Sequence, residues 1–224
     1  MTQTNSDILR GFFDEVVNQK RLDLLPKYFS QEYTGHGSPY VGIGMAPDFG
    51  SEERVTIQFV LPGSPSEGKL MVGDEILRVS DGKRTWETSD ELRQPAWGHG
   101  VLGGSLTIWV RREGVEHEIR LVRGLIQGYE LPYRFLEANL PEYYKDWPGL
   151  QARLVRVMES GDLVAYHAET QGYNARYGRS AVWVEFGFIR FQQGKITDWW
   201  SAEDTYSQYR QLGYTIEEPP LVEE

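Results

Sequence analysis

The middle of the chain, residues 40–123, most constrains the fold, because it has the pattern of a complete small domain between two pieces that each look unfinished without the other. Apolar runs at 55–60 and 70–79 are joined through Leu61-Pro62-Gly63-Ser64-Pro65, in which Pro fixes φ and Gly supplies the positive φ of a tight turn. We therefore predict a host domain interrupted by a guest. The predicted boundaries are 1–37 and 126–216 for the host, 38–125 for the inserted domain and 217–224 for an acidic tail.

The inserted stretch resembles a PDZ domain of the bacterial kind found in C-terminal processing proteases. The resemblance is carried by Val41-Gly42-Ile43-Gly44-Met45, by the Pro-Gly turn, by Gly73-Asp74-Glu75 and by Gly103-Gly104-Ser105. It implies a small, partly open β-barrel. In that family, backbone N–H groups of a loop hold a peptide's C-terminal carboxylate beside an open strand edge. The matching residues here are Gly42, Ile43, Gly44 and Met45.

One departure from the PDZ pattern concerns the peptide groove. The groove helix is expected near residues 88–94, but Pro95 ends it, and residues 97–102 form an extra loop. We therefore expect weak peptide binding, or a guest that acts as a lid over the host pocket because it enters directly after His36.

Composition argues against several classes of partner. The 224 residues carry a net charge of −10, whereas nucleic acids and anionic membranes are held mainly by clustered Lys and Arg. There is no Cys, hence no disulfide and no thiolate chemistry. No signal peptide and no apolar run long enough to cross a bilayer is evident, so we expect a cytoplasmic protein.

The host begins with two predicted helices and resumes after the guest with a third. Apolar residues recur at helical spacing over 7–19, with Ser6 as a candidate cap, and a short helix follows at 22–29. The third helix is predicted over 129–144, with Pro132 in its first turn and Pro141 forcing an end or a kink.

Period-two alternation then predicts four strands at 150–158, 163–173, 179–192 and 195–201, separated by short turns. Short turns imply an antiparallel meander packed on the helices, which makes the host an α+β domain. The third strand is apolar on both faces. Val182, Val184, Phe186 and Phe188 point one way, and Trp183 and Ile189 point the other. Because one side alone can hold the few helices, we expect a homodimer through the sheet.

The host also resembles the nuclear transport factor 2-like superfamily and, within it, the SnoaL-like polyketide cyclases. The motifs are Phe12-Phe13-Asp14-Glu15, Tyr33-Thr34-Gly35-His36, Gly161-Asp162-Leu163 and the segment 194–204. The resemblance implies a cone of bent antiparallel sheet wrapped on three helices, with a pocket for a small apolar or carbonyl-containing ligand. It implies acid–base chemistry without a cofactor.

The resemblance points to Asp204 as the acid–base residue and to His36 as its partner. A carboxylate in an aromatic-lined pocket has a raised pKa, which suits proton abstraction next to a carbonyl. The alternative is that Asp204 caps a helix over 205–212. Glu203 takes the role if the register is off by one. For His36 the alternative is a histidine satisfied by the backbone at a domain junction.

Further pocket candidates depend on which face of each strand lines the pocket. Tyr173 stands where the family has a second histidine, and His167 lies mid-strand, facing either the pocket or a dimer partner. Trp199 and Trp200 alternate, so one faces the pocket, and core packing is the alternative for both. The spacing of the four His argues against a metal site.

Two functions remain open from the sequence. The first is a cofactor-independent cyclase, isomerase or lyase that acts on a carbonyl compound. The second is a non-catalytic, ligand-binding dimer whose PDZ-like guest docks the C-terminus of a partner protein or peptide.

Overall fold

The computed structural model describes residues 3–48, 54–92 and 95–215. The chain forms two compact units, one made of Met1–Gly37 with Glu130–Glu224 and the other of Ser38–Tyr129. We call them the host unit and the insert unit. The prediction from sequence ends the inserted domain at residue 125, four residues before the end of the insert unit in the structure. The predicted acidic tail at 217–224 lies outside the described residues.

The host unit starts with α1 (Asn5–Phe12), which continues as a π-helix (Phe13–Asn18). Thr4 caps α1 through a capping box with Asp7, in which each backbone N–H donates to the other's side chain. The prediction that Ser6 is the cap is therefore wrong. Ser6 instead donates from its backbone N–H and its hydroxyl to the Glu159 carboxylate.

The second predicted helix is a 3₁₀ turn (Leu22–Leu24) that leads into α2 (Leu25–Tyr28). The third helix of the host differs from its predicted range at both ends. Tyr129–Pro132 is a strand, β10, and α4 runs from Tyr133 to Asp146 with Pro141 inside it. Pro141 therefore does not end the helix. A last helix, α5, spans Thr205–Leu212.

The host sheet has six strands in the order β10-β1-β14-β13-β12-β11. Their bounds are Phe29–Gly37 for β1, Gln151–Ser160 for β11, Leu163–Asn174 for β12, Arg179–Gln192 for β13 and Lys195–Glu203 for β14. The last four form the antiparallel meander that the alternation predicts, whereas β1 pairs with β14 in parallel.

The two faces of this sheet have different environments. On β12, Val164, Tyr166, Ala168 and Thr170 are buried, as are Trp183, Ile189 and Phe191 on β13. We call this the inner face, because residues of α1, the π-helix and α2 share its hydrophobic core and α4 adds Tyr133. The opposite, outer face carries Val182, Phe186 and Phe188, which are exposed in the single chain.

Two amide side chains complete the sheet where a strand lacks a neighbour. Asn18 exchanges two hydrogen bonds with the backbone of Ala152 on the edge strand β11, at 2.7 and 3.0 Å. Gln211 of α5 does the same at Val182, where β13 extends beyond its pairing with β14. Each amide forms the two hydrogen bonds that a residue of a neighbouring strand would form. It thereby pairs the backbone N–H and C=O groups of the strand and attaches its own helix to the sheet.

The insert unit is mostly β-structure around its own core. Strands β3 (Met45–Asp48), β4 (Val55–Val60), β5 (Glu75–Ser80), β7 (Ser105–Arg112) and β8 (Val115–Val122) form one sheet in that order, and β6 (Thr85–Trp86) pairs with β5. A two-stranded ribbon joins β2 (Tyr40–Gly42) to β9 (Gly124–Ile126). This ribbon holds the two ends of the unit together.

The region of the expected groove helix holds a short helix, α3 (Ser89–Leu92), and a 3₁₀ turn at Pro95–Gly98. Trp97 is buried in the core of the insert unit, and its indole donates to the carbonyl of Leu92. The buried Arg123 guanidinium donates to the carbonyl of Trp97 at 2.8 Å. These contacts fix the 97–104 segment against the sheet.

Across the described ranges, no helix combines the length and the apolar character that a bilayer span requires.

Candidate functional site

Two carboxylates face each other across the ladder between β13 and β14. Glu185 pairs in register with Glu203. Both alternate with Trp183, Gly187 and Trp199, so both lie on the inner face. Directly opposed residues of an antiparallel pair have Cβ atoms about 5 Å apart. The two negative charges are therefore close neighbours.

The surroundings raise the pKa of both carboxyl groups. Burial, and next the charge of Glu203, raise the pKa of Glu185 to about 7. Burial also raises the pKa of Glu203, although its side chain is open to solvent at the end of β14. Glu203 is thus exposed at the end of β14, while Glu185 is half-buried.

Tyr166 holds Glu185 in place. Its hydroxyl donates to Glu185 Oε1 in a short hydrogen bond and accepts one from Trp199 Nε1 at 2.9 Å. The Tyr166 ring lies over Gly187, where a Cβ would come within 2.6 Å of the phenolic oxygen. Glycine at this position therefore leaves the space through which the phenol reaches Glu185.

The charges of the carboxylate pair act on two tyrosine hydroxyls. The hydroxyl of Tyr143, on α4, has its pKa raised by burial and by the charges of Glu203 and Glu185. The hydroxyl of Tyr209, on α5, has its pKa raised by burial and also by the charge of Glu203. Tyr166 and Trp199 contact each other, with ring centroids 5.8 Å apart in an edge-to-face arrangement. We call Glu185, Glu203, Tyr143, Tyr166, Trp199 and Tyr209 the glutamate site.

The glutamate site has no basic partner among the described residues. None of their ion pairs includes Glu185 or Glu203. The described ranges also hold no group of three or more His, Cys, Asp or Glu that could bind a metal ion. Two close carboxylates without a counter-charge resist double ionisation, which agrees with the direction of both pKa shifts.

A separate cavity of about 500 Å³ opens at the edge of the sheet, between the first helix and strands β11 and β12. Its walls include Phe13, Ala152, Leu154 and Thr170, and Arg10 and Arg153 lie at its rim. None of the glutamate-site residues lines this cavity.

Asp204, the acid–base candidate from the sequence, has the contacts of a helix cap. Its Oδ1 accepts the backbone N–H of Ser207 at 3.0 Å at the start of α5. Hydrogen bonds from the side chain of Ser207 and from its backbone N–H lower the pKa of Asp204, against a smaller opposing effect of burial. A catalytic role for Asp204 stays a prediction, and the lowered pKa gives it no advantage as a base over Glu185.

His36, its predicted partner, lies on the outer face. It pairs in register with Trp200 and stacks on that indole, with ring centroids 4.2 Å apart. Its Nε2 forms a 3.0 Å hydrogen bond with Asp198, which also accepts from Thr197. Although burial opposes it, these hydrogen bonds lower the pKa of Asp198. The structure therefore does not bring His36 and Asp204 together as one pair.

The other candidates divide between the two faces. Trp199 and Glu203 lie on the inner face in the glutamate site, and Trp200 lies on the outer face. His167 is also on the outer face, stacked on Phe186 with ring centroids 4.6 Å apart. Tyr173 is exposed near the end of β12, on the same outer face.

The predicted carboxylate loop of the insert unit lies beside only a small cavity, of about 20 Å³, lined by Ile43, Gly44, Met45 and Trp97 among others. Gly44 has a φ of +73°, and its carbonyl accepts from the Ser64 hydroxyl and the Leu61 N–H. Gly42 already pairs with β9 and bridges to His99. Much of this loop is thus engaged within the insert unit.

Sequence reasoning missed Glu185, Tyr166 and Tyr143. Glu185 had a signal, because it is the one charged residue between the apolar Ala181 and Ile189 in a strand predicted to be apolar on both faces. A carboxylate inside such a strand is costly unless it has a function or a partner. The sequence around Tyr166 and Tyr143 carries no such signal, since their relation to Glu185 arises only in the tertiary fold.

No family model matches the chain. Among solved structures, IdmH of Streptomyces antibioticus, a candidate polyketide cyclase, is 14% identical with a TM-score of 0.49, and the alignment covers 94% of this chain and 99% of that one. A SnoaL-like polyketide cyclase of Agrobacterium tumefaciens is 13% identical with the same TM-score, covering 95% and 100%. Both identities are low, and neither TM-score reaches 0.5.

Proposed function

We propose that the host unit binds a small carbonyl compound and moves a proton on it without a cofactor, as an isomerase, cyclase or lyase of the SnoaL-like kind. The observation that carries the proposal is Glu185, a half-buried carboxylate whose pKa is raised to about 7. A base with a pKa near the working pH exchanges protons most effectively. A carboxylate with an ordinary pKa is a much weaker base.

The reaction needs one base and one hydrogen-bond donor. Ionised Glu185 takes a proton from the carbon next to the carbonyl, and the electron pair moves to the carbonyl oxygen to give an enolate. The Tyr143 hydroxyl, whose pKa is raised by burial and by the charges of both glutamates, donates a hydrogen bond to that oxygen. The Glu185 carboxylic acid then returns the proton to carbon. Tyr166 and Trp199 keep the carboxyl group in position through their hydrogen bonds.

Solvent exchange tests this function across a whole class of carbonyl compounds at once. A panel of ketones and 1,3-diketones is incubated with the protein in D₂O, and deuterium at the carbons next to the carbonyl is followed by NMR. We expect exchange above the buffer rate, lowered by roughly two to four orders of magnitude in Glu185→Gln, the range for a lost general base. Equal exchange in Glu185→Gln, or no exchange by the native protein, contradicts the proposal.

A second candidate function concerns the insert unit, which we propose is a PDZ-like domain. It has an edge strand, β3, next to the Gly42–Met45 loop, and such an edge can accept an added peptide strand. The buried Trp97 and the bridge from Gly42 to His99 leave little room there. Peptide docking is therefore expected to be weak.

A screen of C-terminal peptides against the full chain tests this candidate. We expect no binder of low-micromolar affinity, because the loop is engaged internally. A low-micromolar peptide whose binding is lost in Met45→Lys would instead favour a protein-docking role for the insert unit.

A further inference from the structure

The cavity at the edge of the host sheet is separate from the glutamate site, since none of the glutamate-site residues lines it. Its volume of about 500 Å³ is within the range of small-molecule binding sites. One wall comes from the first helix, through Arg10, Phe13 and Asp14, and another comes from β11 and β12. The cavity is large enough for a molecule of the size of an amino acid.

The backbone on both sides of the cavity departs from regular geometry. The helix wall includes the π-helix Phe13–Asn18, which follows α1. On the other side, β11 has a register shift between Leu154 and Arg156 in its pairing with β12. π-helical turns are rare and frequently occur at functional sites, and β-bulges are over-represented next to active sites. Two such features at one cavity favour a binding site over a packing gap.

A buried hydroxyl on the cavity wall lacks a partner. Thr170 lines the cavity and is 4% exposed, and its Oγ1 forms no hydrogen bond among the described residues. Buried polar side-chain atoms are nearly always paired in native proteins. Because threonine has three staggered rotamers, rotation about its Cα–Cβ bond can turn the hydroxyl toward a ligand in the cavity. An occupant with a hydrogen-bonding group would therefore satisfy this hydroxyl.

The charged groups around the cavity are balanced in number but not in pairing. Two guanidinium groups and two carboxylates line it, those of Arg10, Arg153, Asp14 and Glu169. Arg153 forms an ion pair with Glu169. None of the ion pairs within the described ranges includes Arg10 or Asp14. One positive and one negative group thus remain for an occupant.

These two unpaired charges are neighbours, because Arg10 and Asp14 lie four residues apart on the first helix. Arg10 also acts on Asp7, but Asp7 belongs to the capping box, and its pKa is lowered first by hydrogen bonds from Thr4 and least by Arg10. A ligand with a single charge would be attracted by one of the two groups and repelled by the other. A zwitterion matches both.

We propose that this cavity binds a small zwitterion with an apolar body, a ligand of the α-amino acid class. Its carboxylate accepts from the Arg10 guanidinium, and its ammonium group donates to the Asp14 carboxylate. The apolar body packs against Phe13 and Leu154, which supply apolar wall between the charged groups. This second site goes beyond the proposed function, which concerns the glutamate site alone.

The test uses three probes that share one phenylethyl body and differ in charge. They are L-phenylalanine, 3-phenylpropanoate, which lacks the ammonium group, and 2-phenylethylammonium, which lacks the carboxylate. Binding to the full chain is measured by calorimetry at about pH 7, and the site is located from the Thr170 methyl NMR signal, assigned with Thr170→Val. We expect phenylalanine to bind at least about tenfold more tightly than either analogue, the scale of one lost charge-assisted hydrogen bond.

Two variants separate the contributions of the two charges. Arg10→Gln should remove the advantage of phenylalanine over 2-phenylethylammonium, because the carboxylate loses its partner, and should keep the advantage over 3-phenylpropanoate. Asp14→Asn should do the reverse. Arg134→Gln and Asp146→Asn, which remove the same charges from exposed positions on α4, are expected to keep both advantages.

Three results overturn the inference: equal affinities for the three probes, no binding of phenylalanine at millimolar concentration, or both advantages unchanged in Arg10→Gln and Asp14→Asn. Glu185→Gln should leave the binding of phenylalanine unchanged. Loss of binding in that variant would place the probe in the glutamate site and would also overturn the inference. The deuterium exchange that tests the proposed function can succeed or fail without changing any of these outcomes.

Discussion

At the scale of single residues, three neighbouring carboxylates differ in what surrounds them. Asp204 accepts a backbone N–H and caps α5, Glu203 is exposed at the end of β14, and Glu185 is half-buried and accepts from Tyr166. The pKa is lowered for Asp204 and raised for the other two. Their chemistry therefore follows from their environment and not from residue type.

The prediction from sequence named Glu203 and Trp199 of this site as candidates but assigned the acid–base role first to Asp204, which follows Glu203. Glu203 and Asp204 are adjacent, and successive strand residues face opposite sides, so a shift of one residue exchanges the inner face for the outer. Asp is a suitable residue both for a helix cap and for an acid–base role, so the residue type at 204 does not distinguish them. Only the tertiary contacts of Tyr166 with Glu185 distinguish the two roles, and these join residues of separate strands.

The raised pKa of Glu185 predicts a pH-dependent stability. Since the folded state holds this proton up to about pH 7 and the unfolded state releases it near pH 4.5, the folded state binds more protons between these values. The free energy of unfolding therefore falls as pH rises through this window, by roughly 1.4 kcal/mol per pKa unit as an upper bound. Urea unfolding should show a shallower fall in Glu185→Gln, and parallel curves would contradict the assignment.

The capping contact of Asp204 predicts a purely structural effect. Asp204→Ala removes the acceptor for the Ser207 N–H and should lower the thermal midpoint by a few degrees, while Asp204→Ser keeps an acceptor and should lower it less. Ketone exchange per folded molecule should stay unchanged in both. A large loss of exchange in well-folded Asp204→Ser would return the catalytic role to Asp204.

At the scale of elements, the strands after residue 150 follow their alternation closely, because each has one face in a core and one face outside. The parallel pairing of β1 with β14 has no local signal, since it joins segments about 160 residues apart in the sequence. Pro141 lies within α4 because tertiary packing of Leu136 and Leu140 on the host core compensates for the lost helical hydrogen bond.

The position of Gly187 in the middle of β13 supports a prediction at this scale. A methyl group there overlaps the Tyr166 ring, so Gly187→Ala should displace the phenol from Glu185 and lower ketone exchange by about tenfold or more. Gly149→Ala is the matched control, since nothing lies near the added methyl group. Equal exchange rates in the two variants would show that the Tyr166 contact does not position Glu185.

At the scale of the whole molecule, the outer face of the host sheet is the main exposed apolar surface of the described host strands. It carries Val182, Phe186 and Phe188 on β13 and Met158 on β11. Contiguous apolar surface of this kind marks an interaction site in most proteins. The homodimer predicted from the two-faced strand stays a proposal, with this face as its interface.

Dimer formation is tested at Phe188, which is 60% exposed. Phe188→Lys should give a folded monomer in light scattering, because a charge is placed in an apolar interface. Val115→Lys, on the insert unit at a position 59% exposed, should leave the oligomer unchanged. A native protein that is monomeric at micromolar concentration would refute the proposal.

The protonation of Glu185 itself is the most direct test of the catalytic site, and it can be measured by ¹³C NMR of the glutamate carboxyl carbons, with Glu185→Gln to assign the signal. We expect a midpoint of about 7, and a lower one in Glu203→Gln because the neighbouring negative charge is gone. A Glu185 carboxyl that titrates near 4.5, the ordinary value for glutamate, and does not respond to Glu203→Gln would contradict it.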